Sequence, residues 1–391
     1  MSKPNENAEQ LVLITGGAGF IGGHLVQVLR RGRCGIRVLD NLSPQIHGPA
    51  PVVPDWLNGR AVEFIRGSVT AEADVRMAID GVDAIVHLAA ETGTGQSMYE
   101  IARYNDVNVQ GTAILLDALA NSKSRTVKRL VLASSRAVYG EGAYVCETCS
   151  PPRRQYPDAR SLAQLAKHIW EPRCDVCGAA LVAVATREDD EVKPASIYAA
   201  TKLAQEHLVR IACESLGIGY TILRLQNVFG EGQSLANPYT GLLSVFSTRV
   251  RRGLFLPLFE DGLETRDFIH VEDVAKVFHA ALRSATPANS VINVGSGSKI
   301  TIATVAGELS VAFGKEPDLV VTGQYRLGDI RHNCADISRL RDTFGYEPRV
   351  KLTEGLARFA DWVKTQPLPE DRLEMANAEL RARKLMGEGS G

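Results

Sequence analysis

Short apolar runs alternate with longer amphipathic stretches along most of this chain. The runs at 11–15, 36–39, 62–65, 84–88, 129–133, 221–225 and 291–294 have the length and apolar character of strands buried in a parallel sheet. The stretches between them predict helices at 24–31, 98–121, 198–216, 238–252, 272–284 and 301–313. This alternation predicts an α/β fold in which a doubly wound parallel sheet carries helices on both faces.

The first strand leads into a glycine-rich turn, with Gly16, Gly19 and Gly22 at three-residue intervals before the first helix. Glycines let the backbone approach a pyrophosphate, and a helix N-terminus supplies free N–H groups and the positive end of the dipole. Asp40 ends the second strand, where a carboxylate accepts both ribose hydroxyls of NAD. A tight turn without a ligand is the alternative, but the complete order of elements predicts a Rossmann-type dinucleotide site. NAD is favoured over NADP, because Asp40 would repel a 2′-phosphate and no arginine follows it.

Composition leaves this interpretation unchanged and excludes some partners. The chain has 391 residues, enough for two domains, and its formal net charge of −1 gives no reason to expect nucleic acid or an anionic membrane. No run of 18 apolar residues occurs, and the polar residues 1–10 lack the features of a signal peptide. The expected location is therefore the cytoplasm.

Tyr198 and Lys202 are four positions apart and share one face of a predicted helix. An ammonium beside a phenol stabilises the phenolate and is expected to lower the pKa of Tyr198 towards neutrality. A phenolate can take the proton of a substrate hydroxyl while NAD accepts the hydride. The alternative is an amphipathic helix that carries an incidental Tyr and Lys.

Six motifs in order resemble the extended short-chain dehydrogenases/reductases, in the branch of UDP-galactose 4-epimerase and the dTDP-sugar epimerases and dehydratases. They are Gly16-x-x-Gly19-x-x-Gly22, His87-Leu-Ala-Ala90, Asn108-x-x-x-Thr112, Tyr198-x-x-x-Lys202, the run from Arg266 to Val271, and the run from Arg326 to Arg331. The resemblance covers about 11–363, apart from one insertion.

The resemblance implies NAD as cofactor, a nucleotide-diphosphate sugar as substrate, and catalysis by Ser135, Tyr198 and Lys202. The implied cofactor-binding residues are Gly16, Gly19, Phe20, Ile21, Gly22, Asp40, Asn41, Ser68, Val69, Leu88, Ala89, Ala90, Thr92, Asn108, Tyr198 and Lys202. The implied substrate-binding residues are Thr94, Ser135, Arg136, Asn227, Arg266 and Arg326. Relatives dimerise through two helices, here 98–121 and 198–216, so a homodimer is expected.

One departure narrows the reaction. The 4,6-dehydratases carry Asp-Glu after the catalytic Ser/Thr, whereas Arg136 and Ala137 stand here. Dehydration is therefore disfavoured, and the resemblance implies 4-epimerisation, in which C4 is oxidised to a 4-keto sugar and the hydride returns to the other face.

Four of the seven cysteines form two Cys-x-x-Cys pairs in a surplus of sequence between Tyr139 and Tyr198. Two such pairs, Cys146/Cys149 and Cys174/Cys177, complete a tetrahedral zinc site with no open position, which indicates a structural metal. Four free or redox-active thiols are the alternative. The insertion shows no marked basic excess, so a role in folding and dimer contacts is preferred to nucleic-acid binding. The remaining cysteines, Cys34, Cys213 and Cys334, are expected to be small core residues.

The predicted organisation is a Rossmann domain at 11–225 that contains a zinc-ribbon-like insertion at 143–190. A smaller C-terminal α/β domain at 226–365 binds the nucleotide sugar and partly returns to the first domain, and a tail follows at 366–391. The insertion and the segment 90–98 resemble more narrowly the dTDP-L-rhamnose 4-epimerases, which make dTDP-6-deoxy-L-talose. The residues do not identify the sugar independently.

Two other functions stay open. A 4-keto-sugar reductase or dehydrogenase would use the same motifs but consume or form NADH. An NAD-sensing regulatory protein would use the zinc module to bind a partner, although such a protein has no need for an intact set of Ser135, Tyr198 and Lys202.

Overall fold

The computed structural model describes residues 10–388 except 33, 49, 58–61, 125, 236, 238–240 and 286. The N-terminal residues 1–9, on which no signal peptide is predicted, and the first three positions of the helix predicted at 238–252 lie outside the described residues.

Each of the seven predicted apolar runs forms a strand, and further, shorter strands occur elsewhere in the described chain. In chain order they are β1 (Leu11–Thr15), β2 (Gly35–Asp40), β3 (Val62–Arg66), β4 (Ala84–His87), β5 (Arg129–Ser135), β6 (Tyr144–Cys146), β7 (Arg153–Gln155), β8 (Val182–Ala183), β9 (Gly219–Leu225), β10 (Asn227–Phe229), β11 (Leu256–Leu258), β12 (Thr265–Arg266), β13 (Phe268–His270), β14 (Ser290–Val294), β15 (Ile300–Thr301), β16 (Leu319–Val321), β17 (Gln324–Arg326) and β18 (Met386–Glu388).

The long predicted helices are also present, each within a few residues of its predicted bounds. The helices are α1 (Phe20–Arg31), α2 (Pro44–His47), α3 (Glu72–Ile79), α4 (Thr94–Ser97), α5 (Ile101–Tyr104), α6 (Gly111–Ala120), α7 (Leu162–Leu165), α8 (Ile197–Leu216), α9 (Leu242–Arg252), α10 (Val271–Arg283), α11 (Ile302–Ala312), α12 (Ser338–Phe344), α13 (Leu352–Thr365) and α14 (Leu373–Ala382). A π-helical segment, Asn105–Gln110, joins α5 to α6, so most of the predicted helix at 98–121 is continuous.

Seven strands form the central sheet in the order β14-β9-β5-β4-β1-β2-β3, and all of its pairings are parallel. The predicted doubly wound parallel sheet is confirmed. In this order the chain leaves β1 in both directions, which creates a crevice at the carboxyl ends of β1 and β4. β14 comes from the second half of the chain, as the expected return to the first domain requires.

Apolar clusters cover both faces of the sheet. One face packs on α1, α10 and α12 through side chains such as Leu25, Phe278 and Leu340. The other packs on α3, α6 and α8, where Val209 and the predicted core cysteine Cys213 are buried. A third cluster joins α9, α11 and α13 in the second half of the chain. The sheet is therefore held rigidly from both sides, which fixes the positions of its carboxyl ends.

The insertion predicted at 143–190 contains a small antiparallel sheet of its own, in the order β7-β6-β8. Its apolar cluster comprises only Tyr144, Cys146, Cys174 and Leu181. So small a core contributes little stability by itself. Among the described residues, no helix has both the length and the apolar character needed to cross a membrane.

Candidate active site

The carboxyl ends of the central strands open onto a cavity of about 770 Å³. Most of the predicted site residues line it. They are Gly16, Gly19, Phe20, Ile21, Gly22, Asp40, Asn41, Ser68, Val69, Leu88, Ala89, Ala90, Thr92, Thr94, Ser135, Arg136, Tyr198, Lys202 and Asn227. Three predicted residues, Asn108, Arg266 and Arg326, do not line this cavity. The structure thus brings both predicted halves of the site, the cofactor half and the catalytic half, into one space.

The glycine turn is built for close backbone approach. Gly16 has φ +68°, and a Cβ atom there would lie 2.7 Å from the backbone nitrogen of Ala89. A Cβ atom on Gly22 would overlap the carbonyl oxygen of Gly17. Gly19 precedes α1 and provides no side-chain cap. The first N–H groups of the helix are therefore available to a ligand at the cavity, as a pyrophosphate requires.

Asp40 lies at the end of β2 with its carboxylate fixed by the backbone. Its Oδ2 accepts a hydrogen bond from Ala18 N at 3.0 Å, and its Oδ1 accepts one from Leu42 N at 2.8 Å. Each carboxylate oxygen has further acceptor capacity, which suits two ribose hydroxyls. The glycine turn and Asp40 together fit NAD. Ser68 also lines this end, and its hydroxyl shares a 2.8 Å hydrogen bond with Thr70.

Tyr198 stands in the first turn of α8. Ser196 caps this helix, and the backbone nitrogen of Tyr198 donates to Ser97 Oγ at 3.1 Å. Ser135 Oγ accepts from Ala137 N at 3.1 Å, so its hydroxyl hydrogen is free to donate to the Tyr198 oxygen. Burial raises the pKa of the Tyr198 phenol, while the Ser135 hydrogen bond and the nearby Arg136 guanidinium oppose that rise.

Lys202 is buried one turn further along α8 and is held by two acceptors. Its Nζ donates to Ala133 O at 2.8 Å and to Gln205 Oε1 at 2.9 Å. Burial lowers the pKa of Lys202 to about 7, with Glu206 opposing the shift. The expectation that Lys202 lowers the pKa of Tyr198 is wrong for this structure, in which burial dominates and raises it. The third N–H of the lysine remains for the cavity that Lys202 lines.

A chain of buried hydrogen bonds lies behind the lysine. Gln205 Nε2 donates to Thr112 Oγ1 at 2.7 Å, and Thr112 Oγ1 donates to Asn108 O at 2.6 Å. Because the single hydroxyl hydrogen of Thr112 is used, its 2.9 Å contact with His87 Nε2 requires the histidine to donate. His87 Nδ1 then accepts from Thr15 Oγ1 at 2.7 Å. Burial and the nearby lysine lower the pKa of His87 to about 3, consistent with this neutral form.

Sequence reasoning recognised His87 only as part of a motif and missed Gln205. The signal for Gln205 was its place three residues after Lys202, on the same face of the helix. Asn108, predicted to bind the cofactor, is fully buried and bonds to both the backbone nitrogen and the carbonyl of Glu91. It supports the cavity wall from behind, which explains why it does not line the cavity.

The catalytic end of the cavity carries unpaired polar groups. Arg136 lines it, and its side chain makes no hydrogen bond or ion pair with any described residue. Burial lowers the pKa of Arg136 to about 10, which leaves the guanidinium charged at neutral pH. Asn227 Oδ1 is buried and also has no partner among the described residues. Such groups are available to a polar or anionic ligand.

Arg266 and Arg326 are not part of the lining of this end. The guanidinium of Arg266 donates to the carbonyls of Thr265, Ile330 and Arg331. The positive charge of Arg266 also contributes to the lowered pKa of Arg136. The turn after Arg326 brings Gly328 against the carbonyl of Ala195, just before the Tyr198 helix. Arg266 therefore borders the catalytic end from the second half of the chain, and the turn that follows Arg326 lies beside the start of α8.

The four cysteines of the insertion converge. Their sulfur atoms all lie within 4.8 Å of one another, with Cys146 Sγ 3.5 Å from Cys177 Sγ and Cys149 Sγ 3.8 Å from Cys174 Sγ. Gln155 Nε2 donates to Cys174 Sγ at 3.1 Å, and this hydrogen bond is the main cause that lowers the pKa of Cys174 to about 6. Four convergent thiols are a donor set suited to zinc.

Buried ion pairs join the insertion to the second half of the chain, a feature that the sequence did not reveal. Arg160 pairs with Glu141 at 3.1 Å and with Glu260 at 2.8 Å, and all three are buried. Arg331 pairs with Glu260 at 3.1 Å and with Glu171 at 2.8 Å. Separating the insertion from the second half of the chain would leave unpaired buried charges, which is costly. The ion pairs therefore fix the insertion against the second half of the chain.

Comparison with known proteins agrees with this site. A model of the NAD dependent epimerase/dehydratase family matches residues 12–171 and 174–295. The dTDP-L-rhamnose 4-epimerase of Burkholderia thailandensis is 40% identical over 354 residues, which are 90% of this chain and 94% of that protein. The dTDP-glucose 4,6-dehydratase of Streptomyces antibioticus is 30% identical over 360 residues, 90% of this chain and 92% of that protein.

Solved structures show the same architecture. UDP-glucose 4-epimerase of Thermotoga maritima with UDP-glucose superimposes with a TM-score of 0.71 at 27% identity, covering 91% of this chain and 99% of that one. UDP-glucuronic acid 4-epimerase from Bacillus cereus, in complex with UDP-glucuronic acid and NAD, gives a TM-score of 0.73 at 25% identity, with coverage of 91% and 99%.

Proposed function

This chain belongs to the NAD dependent epimerase/dehydratase family of the extended short-chain dehydrogenases/reductases, and from that premise we propose that it is an NAD-dependent nucleotide-sugar 4-epimerase. The substrate we propose is dTDP-L-rhamnose, converted to dTDP-6-deoxy-L-talose. The similarity to the Burkholderia enzyme, which extends over 90% of the chain, supports this sugar.

The main support for the proposal is that one cavity is lined both by the cofactor residues and by the catalytic residues. The cofactor residues are the glycine turn and Asp40, and the catalytic residues are Ser135, Tyr198 and Lys202. The glycine turn and Asp40 would hold NAD, which would supply a hydride acceptor and donor for C4. Tyr198 takes the O4 proton as general base, and the Ser135 hydroxyl holds the same oxygen. We assign the remaining N–H of Lys202 to the nicotinamide ribose, since its other two are bound to the protein.

The cavity favours epimerisation over dehydration. Its acidic lining residues among the described part of the chain are Asp40 and Glu91. Asp40 serves the cofactor end, and Glu91 is paired with Arg103 at 2.9 Å. No carboxylate of the lining is left to eliminate water at C6, whereas Arg136 occupies the position after Ser135. A reductase would use the same residues and is distinguished by its cofactor stoichiometry.

The test follows the hydrogen at C4. Incubating the purified protein with dTDP-L-rhamnose deuterated at C4 should give dTDP-6-deoxy-L-talose that keeps deuterium at C4, as read by NMR, without added NADH. UDP-galactose and other nucleotide sugars in parallel reactions define the substrate class. Loss of the deuterium from the sugar, with one NADH formed for each 4-keto product, would support the reductase or dehydrogenase instead of the epimerase. No change in any nucleotide sugar would favour the regulatory alternative.

We also propose that Cys146, Cys149, Cys174 and Cys177 hold one structural zinc ion. Support comes from their convergence and from the small apolar cluster of the insertion, which needs a further source of stability. With four protein ligands, zinc of this kind has no open position for substrate, so it contributes to folding and not to the reaction.

The homodimer expected from the sequence stays a proposal, supported by exposed apolar side chains on the two helical segments concerned. Ile101 is 52% exposed and Ile211 is 58% exposed. Light scattering of the purified protein would give its mass in solution, and Ile211→Arg should convert a dimer to a monomer if α8 forms the interface.

The cytoplasmic location and the boundaries of the two domains stay predictions.

A further inference from the structure

The last segment of the chain, which the sequence identified only as a tail, is folded against the substrate side of the site. Within it, α14 is followed by β18, which pairs antiparallel with β17, so that Met386 lies opposite Arg326. Asp371 begins the segment with a carboxylate paired to Arg249 at 2.5 Å. The segment 371–388 therefore has fixed contacts at its beginning and its end.

Asn377 on α14 holds the guanidinium of Arg326. Asn377 is only 2% exposed, and its Oδ1 accepts a 2.8 Å hydrogen bond from Arg326 Nη2. On its flat face the guanidinium lies 4.6 Å from the ring centre of Phe259. Amide and ring together fix both the direction and the plane of the guanidinium, leaving it one orientation.

The same guanidinium is incompletely satisfied. Arg326 Nε is buried and has no hydrogen-bond partner among the described residues. Burial lowers the pKa of Arg326, and Asp329 is the charge that opposes this shift. A buried cation that keeps an unused donor is costly unless an anion binds it. The free donor therefore points to an anionic ligand at this position.

On the same buried face of α14, and on its flank, further side chains contact the segment that carries Thr94 into the cavity. Leu380 packs against Gly95. Tyr99 Oη donates to Glu379 Oε2 at 3.0 Å, and the guanidinium carbon of Arg383 lies 4.2 Å from the Tyr99 ring centre. One helix thus connects the cavity wall of the first half of the chain to the arginine of the second half.

We propose that the segment 371–388 is part of the nucleoside-diphosphate site, with Asn377 as the positioning residue that presents Arg326 to the diphosphate. This inference rests on the proposed function, which makes a nucleoside diphosphate the group to be held. Asn377 acts through Arg326 and does not itself contact the ligand. A purely structural role for α14 is the competing explanation.

The test is a double-mutant cycle read by titration with dTDP, the diphosphate part of the proposed substrate without its sugar. Asn377→Ala should weaken dTDP binding about tenfold, because a fixed hydrogen bond to a charged group is lost. Binding of NAD and the value of kcat should change little, while KM for the nucleotide sugar rises in parallel. In the Arg326→Ala background, Asn377→Ala should have no further effect, since the residue through which it acts is gone.

Met375→Ala is the matched control, because Met375 lies on the same helix, is 51% exposed and should not alter dTDP binding. If Asn377→Ala does not fold, Asn377→Asp keeps the shape but sets a carboxylate against Arg326, which competes with the diphosphate and should also weaken dTDP binding.

An equal loss in both backgrounds, or a parallel loss of NAD affinity, would assign Asn377 a structural role and overturn the proposal. Absence of dTDP binding to the unaltered protein would overturn both this proposal and the proposed function. Intact dTDP binding without epimerisation would contradict the proposed function alone.

Discussion

Lys202 Nζ donates a 2.9 Å hydrogen bond to the side-chain oxygen of Gln205, three residues further along the same helix. Because Gln205 in turn donates to Thr112, the ammonium is tied to a buried chain that reaches His87 and Thr15 beside the glycine turn. The position of a proposed catalytic group is thus set in part by residues that do not line the cavity. Two of its three N–H bonds are committed to the protein, so the direction of the third is fixed.

Replacement of Gln205 tests this arrangement. Gln205→Leu should lower kcat about tenfold and weaken NAD binding, because Lys202 loses one of its two fixed acceptors. Gln205→Glu keeps the acceptor and loses only the donor to Thr112, so it should retain most of the rate. Turnover and NAD titration are the measurements, with Arg210→Gln, a half-exposed position on the same helix, as control. Equal rates for wild type and Gln205→Leu would show that Lys202 does not depend on this contact.

Tyr198→Phe removes the proposed general base and preserves the packing of the ring, which stands edge-on to Tyr104 at 6.5 Å. The variant should fold, bind NAD and lose at least about a hundredfold in kcat, the lower range for removal of a general base. Steady-state rates and NAD titration check both parts. Near-normal turnover would mean that another group takes the O4 proton.

Metal analysis tests the cysteine cluster. Elemental analysis should find about one zinc per chain, and Cys174→Ser should lower both the metal content and the melting temperature, because a structural site contributes folding energy. Cys34→Ala, a cysteine outside the cluster, should leave the metal content unchanged. Metal-free protein of undiminished stability would instead support four free thiols.

Glu264 provides a test of pH dependence. Burial raises its pKa from 4.5 to about 7, and Glu264 is only 6% exposed. Between these two values the folded protein keeps a proton that the unfolded chain releases. The free energy of unfolding should therefore fall as pH rises from 4.5 to 7, by at most about 3 kcal/mol from this group.

Glu264→Gln removes that titration, so its stability should decline less than that of wild type between pH 4.5 and 8. Urea denaturation at several pH values measures the difference. Glu347→Gln, whose side chain is 67% exposed, is the control and should follow wild type. An identical pH profile for Glu264→Gln and wild type would contradict a raised pKa at Glu264.

The sequence by itself determined the central sheet and the cofactor half of the site. Buried parallel strands need continuous apolar runs, and a dinucleotide turn needs glycines between the first strand and helix, so both features are local and readable. The four-residue spacing of Tyr198 and Lys202 is also a local feature, and in a helix it places both residues on one face. The two Cys-x-x-Cys units were also evident in the sequence, because each unit is a local turn.

Only the tertiary structure decided which distant groups surround these residues. The pKa of Tyr198 is raised because burial outweighs its polar neighbours, and burial is a property of the packed chain. Arg160 reaches Glu260 and Arg326 reaches Asn377 across long separations in sequence that no periodicity encodes. The contacts of the tail were likewise decided by the tertiary structure. Its sequence pattern is compatible with an amphipathic helix, but it does not indicate where that helix packs. Contacts of this kind depend on how rigid elements pack, and that packing is fixed only when the whole core forms.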